Sequence, residues 1–342
     1  MERSNLRTGV GILSTIGRTP LVELTRYCPL SGGHLYAKLE AFNPGGSAKD
    51  RPARSMLEAA MAAGLVTKGT TIIESTSGNM GIGLAQVCRY HKLPLICVVD
   101  PRTQSQNLAM LRAYGAQVDV VTTPIRGDFL HARLARVCYL LETTPNSFWP
   151  NQYANPANPR AHCTGTISEI DDQLQGAYDY VFVAVSSTGT LQGCQELLKS
   201  RGRRAKLIAV DAFGSVLFGG SAGRRLIPGL GAGRIPPLAR ESRNTEVRRV
   251  SDLDCVIECR RLAHREAILA GGSGGGVLSA IRSMWNQLDG KTVVAVLHDS
   301  GTRYLNTIFD DAWVEANLGV SAGELASLVH SDEPISMEAR QP

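Results

Sequence analysis

Short, nearly unbroken runs of Val, Ile and Leu recur along this chain, and they limit its possible folds more than any other feature. They fall at 70–74, 95–99, 118–121, 180–185, 206–210 and 292–297. A strand that is apolar at successive positions has to be covered on both faces, a property of parallel sheets flanked by helices. Helical patterns lie between these runs, at 54–63, 80–90, 108–114, 129–141 and 275–285, and Gly64 stands where the first of them should stop. The alternation predicts an α/β fold: two doubly wound domains with mainly parallel sheets. Pro145, Pro150, Pro156 and Pro159 interrupt a polar stretch that reads as a crossing between the domains. From about Val320 periodicity fades, and 321–342 reads as a flexible tail.

A length of 342 residues allows two buried cores, and 43% hydrophobic with 20% charged residues is ordinary globular composition. The net charge of +5 is spread along the chain, which argues against nucleic acid and suits an anionic metabolite. The N-terminal residues lack the apolar stretch of a signal peptide, and no run is long enough for a membrane helix. Eight cysteines, none in a Cys-x-x-Cys pair and several within apolar runs, read as buried thiols of a cytoplasmic protein. Cys255 and Cys259 are spaced to share a helix face but have no second ligand pair, so no metal is expected.

Four segments rich in glycine and hydroxyl residues carry the chemical signal. Asn43-Pro44-Gly45-Gly46-Ser47-Ala48-Lys49-Asp50-Arg51 places a lysine at a helix start, where the positive end of the dipole disfavours the ammonium form. Ser75-Thr76-Ser77-Gly78-Asn79 follows a strand and opens a helix, a natural carboxylate receptor, although an ordinary N-cap would use the same residues. Ser186-Ser187-Thr188-Gly189-Thr190 also joins strand to helix and can cradle a phosphate; without a following Gly-Lys-Ser/Thr it is not a P-loop. Gly271-Gly272-Ser273-Gly274-Gly275 contains a formal Gly-x-Ser-x-Gly match, so a serine hydrolase using Ser273, Asp289 and His298 is a distant alternative.

Together with Gln152-Tyr153-Ala154-Asn155-Pro156-Ala157-Asn158-Pro159 and Pro228-Gly229-Leu230-Gly231-Ala232-Gly233, these segments resemble the cysteine synthase and cystathionine β-synthase family of fold-type II pyridoxal-phosphate enzymes, in the family's order over roughly 10–315. The resemblance implies a tryptophan synthase β-like architecture. Residues 1–40 plus 155–320 would form a larger cofactor-phosphate domain, 41–154 a smaller mobile domain, and the active site would lie in the cleft between them. It implies pyridoxal 5′-phosphate on Lys49, with Asn79 on its phenolic oxygen, Ser186, Ser187, Thr188, Gly189 and Thr190 around its phosphate, and Ser273 on its pyridine nitrogen. Ser75, Thr76, Ser77 and Gly78 would take the substrate carboxylate. A hydroxyl on the ring nitrogen favours β-elimination over transamination. The implied chemistry is β-replacement: Lys49 removes the α-proton, the leaving group departs, and a nucleophile adds to the β-carbon.

The family's phosphate loop mostly reads Gly-Thr-Gly-Gly-Thr, and Arg234 stands where sulfhydrylases usually carry an aromatic residue. With the segments 151–155, 211–219 and 298–305, these departures are most similar to the branch that joins O-phospho-L-serine to L-glutamate on the way to the 2,3-diaminopropionate of siderophores. In that reading Arg133, Tyr153 and Ser186 receive the phosphate leaving group and Arg234 the acceptor. The alternative is a cysteine synthase using O-acetylserine or O-phosphoserine with sulfide. The resemblance also implies a homodimer.

Overall fold

The computed structural model describes residues 10–27, 32–76, 78–125, 127–241 and 245–331. Its elements run β1 (Leu21–Glu23), β2 (His34–Leu39), α1 (Asp50–Ala62), β3 (Thr71–Ser75), α2 (Asn79–His91), β4 (Leu95–Val99), α3 (Ser105–Ala113), β5 (Gln117–Val120), α4 (Phe129–Thr143) and β6 (Ser147–Phe148). They continue with α5 (Ala157–Ala161), a π-turn at His162–Thr166, α6 (Ile167–Gln173), β7 (Tyr180–Ala184), α7 (Gly189–Ser200), β8 (Lys206–Ala212), β9 (Glu246–Val250), α8 (Asp252–Glu266), α9 (Gly272–Ser283), β10 (Thr292–Leu297), α10 (Asp311–Leu318) and α11 (Ala322–His330).

Among the described residues the strands form a six-stranded sheet, β1-β2-β10-β7-β8-β9, and a four-stranded sheet, β5-β4-β3-β6. Every pairing is parallel except β1 with β2. The expected α/β fold with mainly parallel sheets is therefore present, and the apolar runs explain it. In the larger sheet Phe182, Ile208, Val210 and Ala295 face one core, while Val181, Val183, Ala209 and Val294 face another. In the smaller sheet Ile72, Leu95, Cys97 and Val99 are separated in the same way from Ile73, Ile96 and Val98. Both faces are covered, so alternation disappears from the sequence.

Charged groups also hold the frame. Arg51, at the start of α1, donates to Glu40 (2.7 Å) after β2 and to Glu169 (2.6 Å) in α6. Lys38 pairs with Glu169 at 2.8 Å. Burial works against ionisation of Glu169, but Arg51 and Lys38 outweigh it and hold the carboxyl at about 2.

One expectation needs correction. The segment 321–331 is not a flexible tail. Ser321 accepts from the Glu324 N–H (3.3 Å) and caps α11, whose Leu325 and Val329 join the core. Arg261 of α8 donates to the Leu328, Val329 and Ser331 carbonyls, satisfying the helix's far end. Residues 332–342 lie outside the described residues. The polyglycine segment forms the first turn of α9.

That turn packs closely on α8. A Cβ at Gly275 would lie 2.0 Å from the Cys255 carbonyl oxygen and 2.6 Å from Cys259 Sγ. Alanine in a helix interior is favoured over glycine by about 1 kcal/mol, yet here the overlap dominates. Gly275→Ala should lower stability by about 2–3 kcal/mol, read as a lower urea midpoint at unchanged slope. A raised midpoint would show that α8 and α9 are free to separate.

Candidate active site

The strands deliver the motif residues to one cleft. β3 ends at Ser75, β7 at Ala184 and β10 at Leu297; the segments after these C-terminal ends, with Lys49 and the start of α9, line a cavity of about 220 Å³. Ligand sites in parallel α/β sheets lie beyond this edge. Lys49, Ser75, Thr76, Gly78, Asn79, Arg133, Tyr153, Ser186, Ser187, Thr188, Thr190 and Ser273 all line it. Gly189 opens α7 beside them. Ser77 lies outside the described residues. Arg234 is on the exposed rim of an adjoining cavity and does not reach the first.

Lys49 immediately precedes α1, as the sequence predicts. Burial lowers its pKa, with Asp299 and Glu40 pulling the other way, so desolvation favours the free amine. Thr76 tethers the first turn of α2: its hydroxyl accepts from the Gly81 N–H at 3.0 Å. Ser75 Oγ is buried with no protein partner and remains available.

In the 186–190 segment several hydroxyls are already engaged. Thr188 Oγ1 donates to the Ser187 carbonyl (2.7 Å), Asn158 Nδ2 donates to Ser187 Oγ (3.4 Å), and Thr190 Oγ1 meets His162 Nε2 (3.3 Å). What the turn offers a ligand is mainly the N–H groups that open α7, which have no intrahelical acceptor. Thr188 occupies φ 66°, in the left-handed region. A β-branched residue there costs on the order of 1–3 kcal/mol and is held only by its surroundings. Asn158 also donates to the Gln152 carbonyl at 2.7 Å, so the 152–159 motif braces this turn rather than lining the cavity throughout.

Three residues in or beside the cleft have surroundings that the sequence reading did not foresee. His298 is 7% exposed, and burial beside Lys49 drives its pKa down to about 3, against a backbone hydrogen bond to Val296. Asp299 accepts from Asn79 Nδ2 (2.8 Å) and from the Tyr304 hydroxyl (2.6 Å). Glu74, beneath the cleft, accepts from Trp149 Nε1 (3.0 Å) and the Gln152 N–H (3.3 Å), and burial lifts its pKa to about 7. Their only signal was position, directly before or after a strand end.

The hydrolase alternative fails on geometry. His298 bonds to neither Ser273 nor an acid, Asp289 is exposed, and Ser273 sits in a regular helix turn. No metal-binding cluster occurs among the described residues, and Cys255 and Cys259 are packed inside the core.

A cleft with a desolvated lysine, a helix N-terminus suited to phosphate and a buried Ser75 hydroxyl that has no partner among the described residues fits an anionic, ring-bearing cofactor. The chain belongs to the pyridoxal-phosphate dependent enzyme family, whose model matches residues 12–299. Pyridoxal phosphate is its cofactor. The fold resembles solved structures of cysteine synthase from Entamoeba histolytica (30% identity, 97% of this chain and 99% of that one, TM-score 0.84) and O-acetylserine dependent cystathionine β-synthase from Helicobacter pylori (32%, 88% and 99%, 0.82). It is similarly close to O-ureido-L-serine synthase (33%, 89% and 98%, 0.81). The protein is a pyridoxal-phosphate dependent enzyme of β-replacement chemistry, related to the cysteine synthases.

The lysine in the cleft leads to a direct test. Borohydride reduction of the holoenzyme followed by peptide mapping should leave the cofactor on Lys49, and Lys49→Ala should retain no reducible attachment. Label on any other lysine would displace Lys49 from this role.

Proposed function

We propose that the enzyme replaces the phosphate of O-phospho-L-serine with L-glutamate, giving N-(2-amino-2-carboxyethyl)-L-glutamate, a precursor of the 2,3-diaminopropionate used in siderophores. The observation that carries this reading is a second cavity, of about 490 Å³, which shares Arg102, Arg133, Tyr153 and Ser186 with the Lys49 cavity and adds Arg225 and Arg234. Arg133 and Arg102 both line the two cavities and pair with the same carboxylate, Asp100, at 3.4 and 3.3 Å. Burial lowers the pKa of Arg225, against the pull of Asp211 and Asp252, and its buried Nε has no partner. Such a chamber suits a doubly charged leaving group and an acceptor with two carboxylates; sulfide would need none of it.

Bound pyridoxal phosphate supplies the electron sink that lets the α-proton and then the β-substituent leave. In our reading the Lys49 amine takes the α-proton. Ser75, Thr76 and Gly78 orient the substrate carboxylate, the opening turn of α7 holds the cofactor phosphate, and Ser273 faces the ring nitrogen. Arg133, with Tyr153 and Ser186 as neutral donors, receives the departing phosphate.

The alternative is sulfhydrylation of O-acetylserine or O-phosphoserine, as the resemblance to a cysteine synthase would have it. Supplying O-phosphoserine with glutamate or with sulfide, and identifying products by mass, separates the two. The glutamate adduct with phosphate release is the expected result; cysteine alone would establish the alternative.

Within that reading, Arg133→Ala should weaken use of O-phosphoserine far more than that of O-acetylserine. On the acceptor side the half-buried Arg225 is better placed than the exposed Arg234. Arg225→Met should raise the KM for glutamate about tenfold, the scale of one charge-assisted contact, and Arg234→Phe should raise it less. Unchanged glutamate saturation in both variants would move the acceptor elsewhere.

A further inference from the structure

The segment after β10 reaches across the cleft to both glycine-rich turns and to Asn79, and the reading above gives this contact no task. Arg303, 4% exposed, donates through Nη1 to Asn79 Oδ1 and through Nη2 to the Gly45 carbonyl. On the other side of the same amide, Asn79 Nδ2 donates to Asp299 Oδ2 at 2.8 Å, and the Tyr304 hydroxyl fixes that oxygen at 2.6 Å. Asp299 is itself 3% exposed.

Chemistry removes the ambiguity that an asparagine amide normally carries. A guanidinium can only donate, so Oδ1 must face Arg303, which turns the NH2 group to Asp299. Asn79 is thus gripped from both ends. The NH2 group is held by Asp299, with the Tyr304 hydroxyl beside it, at the edge of the cavity that Asn79 lines. We propose that Arg303 and Asp299 are positioning residues that lock the Asn79 amide in the single orientation from which its NH2 group can donate to the ring oxygen of pyridoxal phosphate.

This inference rests on the reading of Asn79 as the partner of that oxygen. It also accounts for two motif glycines. A Cβ at Gly46 would lie 2.8 Å from Arg303 Nη2, and one at Gly271 would lie 2.0 Å from Asp299 Oδ1. The two turns are bare where the gripping side chains pass. Preorganisation of this kind depends on the supporting residues as much as on the donor they hold.

The test uses holoenzyme and reads the wavelength of the cofactor's visible band, which responds to hydrogen bonding at the ring oxygen, alongside cofactor affinity and melting temperature. Asn79→Ala sets the reference displacement. Arg303→Gln and Asp299→Asn should each displace the band in the same direction and weaken cofactor binding by about tenfold. Arg303→Lys, which keeps a donor-only cation, should return most of the displacement. In Asn79→Ala/Arg303→Gln the band should move no further than in Asn79→Ala. Should Arg303→Gln fail to fold, Asp299→Asn carries the test from the other end of the amide, because its side chain can both donate and accept. A band at the wild-type position in the Arg303 and Asp299 variants, with only the melting temperature lowered, overturns the proposal and leaves the role of Asn79 standing. An unmoved band in Asn79→Ala overturns both.

Discussion

The active cleft depends on a short stitch between the two sheets. The Ala48 N–H donates to the His298 carbonyl at 2.7 Å, and the Ser300 N–H reaches the Gly46 carbonyl at 3.3 Å. These bonds pin the turn that carries Lys49 to the segment that follows β10. Without them the lysine, which precedes α1 near the smaller sheet, would have no fixed relation to α7 and α9, which pack on the larger one. The stitch is made of backbone groups, so it constrains where the chain passes and leaves the side chains free to differ. Arg303 then adds a side-chain tie across the same junction, from its place after β10 to Gly45 and Asn79.

Electrostatics divides the cleft into two environments. Around Lys49 burial dominates: it lowers the pKa of the lysine and of His298 and raises that of Asp299, so each charged form is disfavoured. In the adjoining chamber arginines set the tone, and the guanidinium keeps its charge when buried. One enclosure thus favours an uncharged amine while its neighbour offers fixed positive charge to an anion. Glu40, Arg51, Glu169 and Lys38 form a separate buried cluster behind α1, where opposite charges satisfy one another and frame the turn without facing the substrate.

The central strands were legible because both of their faces are buried, which writes itself into sequence as a continuous apolar run. β2, β9 and α8 were not. Lys38 lies in β2 as a fully buried residue, rescued by the Thr19 carbonyl (2.7 Å) and Glu169, so its strand lacks the apolar signature. β9 reads Glu246-Val247-Arg248-Arg249-Val250 because it is an edge strand. In α8 the acidic and basic residues Glu258 and Arg261 are core residues that satisfy each other, with Tyr27 donating to the same glutamate. Tertiary partners overrode composition in each case. The site was legible where a motif sits on a strand end. It was not where a single His298 or Arg303 acts through neighbours more than 200 positions away.

The glycine-rich motifs show how a correct signal can have a mixed cause. They mark the cleft, and the sequence argument took them as places where backbone approaches a ligand. Several are bare for internal reasons instead. A Cβ at Gly45 would strike the Asp50 carboxylate at 2.5 Å, one at Gly189 the Asn158 amide at 2.2 Å, and one at Gly275 the Cys255 carbonyl. Each of those neighbours is a polar group that holds a cleft-forming turn. Close approach within the protein and close approach to a cofactor impose the same demand for a missing side chain, so sequence alone cannot separate them. The motif persists because the two demands coincide: turns tight enough to aim Lys49, Asn79 and the start of α7 at one point leave no room for a side chain on their inner surfaces.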